Sequence, residues 1–127
     1  MIIDVDDLEM DDDLALDQGQ PFTGTVQGFY PNGTMWVKSW YIDGFQRGLC
    51  REWYKNGQLK LEWFAIRGCV DGKLTEWHQN GQIKIVATYT KGIELTYDER
   101  SDAGLPILHR EIDRQSELWK YANSLKT

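Results

Sequence analysis

Residues 48–60 carry the pattern that organises this chain: Gly48-Leu-Cys50-Arg-Glu52-Trp53-Tyr54-Lys-Asn56-Gly57-Gln-Leu59-Lys60. The pattern returns at residues 72–84, and a weaker version precedes it at residues 24–36. The interval is 24 residues in both cases. A fixed interval of this length is typical of repeat proteins, in which each unit is one supersecondary element that packs on its neighbours.

Glycine marks the same places in every copy. The three columns are Gly24, Gly48 and Gly72; Gly33, Gly57 and Gly81; and Gly44, Gly68 and Gly92. The middle column follows asparagine each time, and Asn-Gly favours hairpin turns because both residues tolerate positive φ. We therefore expect two turns in each unit, one at the Asn-Gly pair and a return turn at the Gly44, Gly68 and Gly92 column.

Alternating apolar residues between these turns predict strands. Met35, Val37, Ser39 and Tyr41 are spaced by two, so we expect them to share one face of a strand. Two strands per unit give about six antiparallel strands between residues 24 and 92. The fold class predicted is mainly β, an antiparallel meander of three repeats at 24–47, 48–71 and 72–95.

Each end of the meander needs a cap, because one repeat cannot bury its own face. Residues 1–23 form an acidic N-terminal arm, and residues 96–127 form a C-terminal cap. Within that cap, residues 105–108 are expected to form a short edge strand, where proline is tolerated. From about 110 to 126 the apolar spacing becomes helical, which predicts a capping α-helix.

The charge is unevenly distributed. The net charge is −6, yet the first 20 residues hold eight acids and no base, so the remainder is nearly neutral. A nucleic-acid-binding protein needs a basic stripe, and none is present. No apolar run approaches the ~18 residues of a membrane span, and the N-terminus lacks the features of a signal peptide. We expect a cytoplasmic protein that binds neither nucleic acid nor membranes.

The segments at 48–60 and 71–84 resemble the MORN-repeat variant, the unit of the YwqK-type antitoxin and immunity proteins of bacteria. The likeness covers residues 22–97 and includes the entry Pro21-Phe22-Thr23-Gly24. It implies a β-meander that binds a cognate toxin, encoded by an adjacent gene, and blocks it by occlusion. It implies neither catalytic residues nor a cofactor. A non-enzymatic scaffold or peptide-binding adaptor is the alternative, and an open sheet edge leaves homodimerisation available.

The histidines, cysteines and clustered aspartates of the sequence give little support to an enzymatic function. His78 occupies the column of Tyr30 and Tyr54, and His109 has no nucleophile assigned to it. Cys50 and Cys69 stand where other copies carry apolar residues, so buried thiols are expected. The run Asp11–Asp13 lacks the spacing of an EF-hand, so no metal site is predicted.

Residues that break the repeat are the better candidates for a partner site, because a structural position recurs and a contact need not. The candidates are Trp36, Trp40, Trp63, Phe64, Asp11, Asp12 and Asp13. Aromatic residues are frequent hot spots, and a cluster of carboxylates can steer a basic toxin towards the protein. The alternatives are that the tryptophans pack under the helix or the arm, and that the acids are a solvated tail.

Overall fold

A computed structural model describes residues 1–124 and confirms a mainly β protein with one C-terminal helix in that range. The strands are β1 (Ile2–Asp4), β2 (Glu9–Asp11), β3 (Leu14–Asp17), β4 (Gln20–Pro21), β5 (Gly24–Phe29), β6 (Met35–Ile42), β7 (Phe45–Gln46), β8 (Gly48–Trp53), β9 (Leu59–Ile66), β10 (Cys69–Trp77), β11 (Ile83–Thr90), β12 (Ile93–Arg100) and β13 (Pro106–Glu111). The helix is α1 (Glu117–Ser124).

One large sheet follows the order β1-β5-β6-β8-β9-β10-β11-β12-β13, with β7 paired to β6. From β5 onwards neighbouring strands are antiparallel and in chain order, as the meander prediction required. Only β1 is parallel to its neighbour β5 among the strands described for this sheet. A second sheet of three short strands, β2-β3-β4, is formed by the arm.

The two turns of each repeat differ in their backbone conformation. At the return turns both central residues have positive φ, for example 50° at Asp43 and 89° at Gly44, as two-residue type I′ hairpins require. At the Asn-Gly turns only the glycine has positive φ, which is 88° at Gly33. The expectation of positive φ at both residues was therefore wrong. Asn32 instead accepts a hydrogen bond from the Thr34 N–H through its side chain, at 2.9 Å.

A β-bulge in each repeat disturbs the predicted alternation. The register pairs Gly28 with Val37 but Phe29 with Met35, so Trp36 is skipped. Because Gly28 and Phe29 are consecutive, their partners Val37 and Met35 lie on opposite faces. The expectation that Met35 shares a face with Val37 was wrong for this reason. The same shift recurs in the second and third repeats.

The N-terminal arm is folded onto the first repeat. Phe22 and Ala15 of the arm form a buried cluster with Val26 and Tyr41 of the sheet, and Ile3, Val5 and Leu8 pack against it. The Phe22 and Tyr41 rings meet edge to face at 6.2 Å. We call the sheet face that the arm covers the back face, and the opposite one the front face.

The C-terminal cap differs from its prediction. The expected edge strand is present and is longer than 105–108, because pairing with β12 continues to Glu111. The helix begins at Glu117 and not near residue 110, since Ser116 caps it by accepting a hydrogen bond from the Trp119 N–H at 3.1 Å. Residues 125–126 of the predicted helix lie outside the described residues. Ala122 is buried, and α1 contacts β12.

Candidate functional site

Large apolar side chains are exposed together on the front face of the first two repeats. Ile42 is 51 % exposed, and Phe45, its partner across the hairpin, is 39 % exposed. Phe64 is also 39 % exposed and pairs with Leu49. Trp40 precedes Ile42 by two residues and so shares its face. We name these five residues (Trp40, Ile42, Phe45, Leu49 and Phe64) the front patch.

A cavity of about 490 Å³ adjoins the front patch. It is lined by Ile42, Asp43, Phe45, Arg47 and Arg67. The type I′ turns put it at one end of the strands, since Asp43 and Arg67 are the first central residues of two neighbouring return turns. This volume is in the range of small-ligand and peptide side-chain pockets.

Cations surround the front patch. The Lys38 ammonium lies 5.4 Å from the centre of the Trp40 ring, a cation–π contact. Arg51 is paired with Glu62 at 2.8 Å on the same face. Arg47 and Arg67, by contrast, have no ion-pair or side-chain hydrogen-bond partner within residues 1–124. The front patch is therefore apolar in its centre and cationic at its edge.

The structure divides the predicted aromatic residues between two faces. Trp40 and Phe64 both belong to the front patch. Trp63 is on the back face, because it pairs with the buried Cys50. Trp36 is at the bulge, where its Cε3 lies 3.2 Å from the position that a Cβ on Gly28 would take. The four residues thus do not form a single surface.

Trp36 also has a structural explanation. In the third repeat the corresponding residues, Glu76 and Lys84, form a salt bridge at 3.3 Å. The first repeat carries Gly28 and Trp36 in those positions, so an indole lies over a glycine where a later copy has an ion pair. Trp36 remains 37 % exposed. Its exposure leaves a contact role available, and its packing favours the structural alternative.

The predicted acids lie on the arm. Asp11 ends β2, and Asp12 and Asp13 form the turn to β3, all three exposed. Met10 beside them is 54 % exposed. Because β2 and β3 pair as a hairpin, the carboxylates are held by a folded segment and not by a loose tail. The arm covers the back face, whereas Trp40 and Phe64 are on the front face.

Sequence reasoning missed three residues of the front patch, Ile42, Phe45 and Leu49, and the two arginines of the cavity, Arg47 and Arg67. Ile42 and Phe45 flank the Asp43–Gly44 turn, and the comparison of the repeats assigned neither of them to a contact surface. Their alternation with the buried Tyr41 would have put Ile42 on the open face. No pattern in the sequence places Arg67 beside Arg47, because that proximity depends on the register of two neighbouring hairpins.

A ladder of side-chain hydrogen bonds ties each repeat to the next. The Tyr30 hydroxyl donates to the Trp53 carbonyl at 2.6 Å, and the Tyr54 hydroxyl donates to the Trp77 carbonyl at 2.7 Å. His78 fills the same position, with its Nε2 at 2.8 Å from the Arg100 carbonyl oxygen. This oxygen is an acceptor, so Nε2 carries the proton. His78 is thereby a structural member of the repeat.

The contact between His78 and the Arg100 carbonyl leads to a further hairpin, which follows the third repeat. Gly104 turns the chain back with positive φ, and its N–H bonds to the Ser101 carbonyl as Gly81 bonds to His78. The spacing from Gly81 is one residue shorter than the 24-residue interval. Strands β12 and β13 therefore continue the meander beyond the three repeats that the sequence revealed.

The thiols and the second histidine have distinct environments. Cys50 is buried, and burial raises the pKa of its thiol to about 11. Cys69 is exposed, so the expectation of two buried thiols was wrong for this residue. His109 Nδ1 lies 2.6 Å from Asp98, and its Nε2 lies 3.2 Å from Glu111. Hydrogen bonding to Asp98 raises the pKa of His109.

A polar cluster lies on the back face near the C-terminal edge of the sheet. Arg110 donates two hydrogen bonds to Glu94, at 2.8 and 2.9 Å, and its guanidinium lies 4.0 Å from the centre of the Tyr97 ring. The hydrogen bonds from Arg110 lower the pKa of Glu94. The charges of Arg110 and Glu94 are thus paired with each other, and the cluster stabilises the pairing of β12 with β13.

Within residues 1–124, no group of three or more His, Cys, Asp or Glu residues is arranged to hold a metal ion. Neither the short 3-10 helix Val5–Asp7 nor α1, the helices described in this range, is long and apolar enough to cross a bilayer.

Hairpins at a constant interval, ended by glycine turns and joined by a recurring side-chain ladder, define a β-meander repeat protein. The family model described as MORN repeat variant matches residues 22–43, 46–64 and 70–91. The chain therefore contains three MORN-variant repeats, which confirms that part of the resemblance. Comparison with curated proteins and with solved structures finds no match.

Proposed function

We propose that this protein is a non-enzymatic binding module that neutralises a bacterial toxin by direct contact and occlusion. The partner would be encoded by an adjacent gene, and the complex would form in the cytoplasm. The observation that carries the proposal is the front patch, where Ile42, Phe45 and Phe64 are exposed side by side in the two repeats.

Exposure of these residues has an energetic meaning. Apolar surface in water costs about 25 cal/mol per Å² relative to burial, so a cluster of large exposed side chains favours association. Contiguous apolar patches with a polar rim mark interaction sites more often than isolated apolar residues do. Sheet residues are also held rigidly by their neighbours, so little side-chain entropy is lost when they are covered.

This architecture is better suited to neutralising a toxin by covering its active site than by a catalytic reaction. The large sheet of ten strands presents a continuous surface that another protein can contact. Toxins that act on nucleic acid have basic clefts, and the carboxylates of Asp11, Asp12 and Asp13 offer complementary charge. In this proposal the front patch supplies affinity and the arm accelerates encounter.

The test is co-expression with the product of the adjacent gene. We expect that product to arrest growth alone, and this protein to restore growth and co-purify with it. The variants Phe45→Ala and Phe64→Ala are each expected to weaken the complex by about 2 kcal/mol, roughly thirtyfold in Kd, as hot-spot residues do. Phe29→Ala is the matched control, because Phe29 is 51 % exposed and outside the front patch.

Two outcomes would contradict the proposal. One is that the adjacent product neither arrests growth nor binds. The other is that folded Phe45→Ala and Phe64→Ala proteins bind it as tightly as the Phe29→Ala control. Circular dichroism and the urea midpoint establish that each variant is folded.

A scaffold or peptide-binding adaptor is the second candidate, and the edge strand β13 favours it. All six residues from Pro106 to Glu111 are exposed, and Ile107 is 58 % exposed. An open edge accepts an added strand from a peptide or from a second copy of the chain. Substituting His109→Pro removes a backbone donor on the open side, because the Ile112 N–H bonds inward to the Leu95 carbonyl and the direction of the N–H groups alternates along the strand. We expect it to abolish binding of extended peptides or dimer formation only if this second candidate is correct.

A further inference from the structure

We propose that the cavity beside the front patch binds an acidic segment of a partner protein, in which a carboxylate stands next to a large apolar side chain. This inference rests on the proposed function for the statement that the partner is a protein. It adds the chemistry that the partner must present.

The lining supplies both parts of this recognition. Ile42 and Phe45 form an apolar wall, and Arg47 and Arg67 bring two guanidinium groups to the same cavity of about 490 Å³. Guanidinium binds carboxylate through two parallel N–H···O bonds, a geometry that a lysine ammonium lacks. Asp43 is the one acid in the lining, so the two arginines still leave an excess of positive charge.

The arginines of this cavity differ from the other guanidiniums of the sheet. Arg51 is paired with Glu62, Arg110 with Glu94, and Arg100 donates to the Gly104 carbonyl. Arg47 and Arg67 have no such partner within residues 1–124. A charged group without a protein partner is available to pair with a ligand at no cost in broken internal contacts.

Charge distribution favours a protein segment over a polynucleotide. The net charge of −6 repels an extended polyanion at long range. The acidic arm is attached close to the cavity, because the Ala15 N–H bonds to the Gly44 carbonyl at 2.8 Å, next to Asp43. A short acidic segment with an apolar neighbour needs only the local cations and gains from the wall of Ile42 and Phe45.

The experiment is fluorescence anisotropy on the full-length protein. The probe is a short fluorescein-labelled peptide of alternating glutamate and phenylalanine. The matched probes carry lysine for glutamate, or are a labelled single-stranded oligodeoxynucleotide. We expect the glutamate peptide to bind most tightly and its Kd to increase with salt.

Substitutions then assign the binding to the cavity. Arg47→Gln and Arg67→Asn are each expected to raise the Kd of the glutamate peptide about three- to tenfold. Asparagine is chosen at position 67 because φ there is 50°, a conformation that it tolerates. Arg114→Gln is the control, since Arg114 is an exposed arginine outside the sheet. It is expected to leave the Kd unchanged.

The inference is overturned if the lysine peptide or the oligonucleotide binds at least as tightly. It is overturned equally if the Arg47 and Arg67 variants behave as Arg114→Gln does. Self-association that these two variants abolish would assign the cavity to the acidic arm of a second copy, which also refutes a foreign partner. Toxin neutralisation that survives both variants would overturn this inference and leave the proposed function intact.

Discussion

Replacing Tyr54 with phenylalanine should weaken the junction between the second and third repeats. Its hydroxyl donates to the Trp77 carbonyl at 2.7 Å, and both residues are half-buried. Phenylalanine keeps the ring, and with it the contact to the Lys60 ammonium 5.6 Å from the ring centre. The substitution therefore isolates one hydrogen bond.

The expected loss follows from that bond. A net hydrogen bond contributes about 0.5–1.5 kcal/mol, and a half-buried carbonyl left without a partner adds to the cost. We expect Tyr54→Phe to lower the free energy of unfolding by about 1–2 kcal/mol. In a chain of this size that corresponds to a fall in Tm of roughly 3–8 °C.

The assay is urea denaturation followed by tryptophan fluorescence and by circular dichroism. A lower midpoint with an unchanged m-value is expected, since the surface exposed on unfolding is the same. Tyr121→Phe is the control, because Tyr121 is 59 % exposed. Tyr30→Phe should match Tyr54→Phe, and the double variant should be additive because the bonds cross different junctions. Equal midpoints for Tyr54→Phe and Tyr121→Phe would refute the ladder as a source of stability.

Three more outcomes are expected. Gly28→Ala should destabilise the protein by about 1–3 kcal/mol, because the new methyl would lie 2.6 Å from an arm side chain; an unchanged urea midpoint would exclude that clash. The hydrogen bond to Asp98 raises the pKa of His109 above its ordinary value of 6.5. The pairing should therefore stabilise the β12–β13 edge fully below pH 6.5, and this stabilisation should be lost as the pH rises through the pKa of the folded state. The pKa of His109 measured by NMR titration should therefore be lower in the Asp98→Asn variant, and an unaltered pKa would count against this pairing. Cys69 should react with a thiol reagent well before Cys50, whose pKa burial raises to about 11, and Cys69→Ser should remove the fast phase.

Local patterns predicted the hairpins because turn chemistry depends on adjacent residues. Glycine after Asp43, Arg67 and Lys91 supplies the second positive φ of a two-residue turn, and each of these pairs does form the return turn. The hairpin at Gly104 was not recognised as a further repeat unit. It lacks the Asn-Gly pair and is shorter by a residue, so the fixed interval did not include it.

The candidate site was predicted only in part. Trp40 and Phe64 were selected because they depart from the repeat, and both belong to the front patch. Trp63 and Trp36 were selected by the same reasoning, but the first is on the back face and the second lies over Gly28. Departure from a repeat identifies residues with individual surroundings, which include packing adjustments as well as contact surfaces.

By itself, the sequence determined the meander: recurring glycines set the turns, and alternating residues between them formed the strands. Tertiary structure decided which face is open. A bulge in each repeat reverses the alternation within a strand, and the arm covers the back face of the first repeat through Phe22 and Val5. Both effects depend on how separate segments pair and pack, so no pattern along a single strand contains them. The same physical reason brings Arg47 and Arg67 to one cavity.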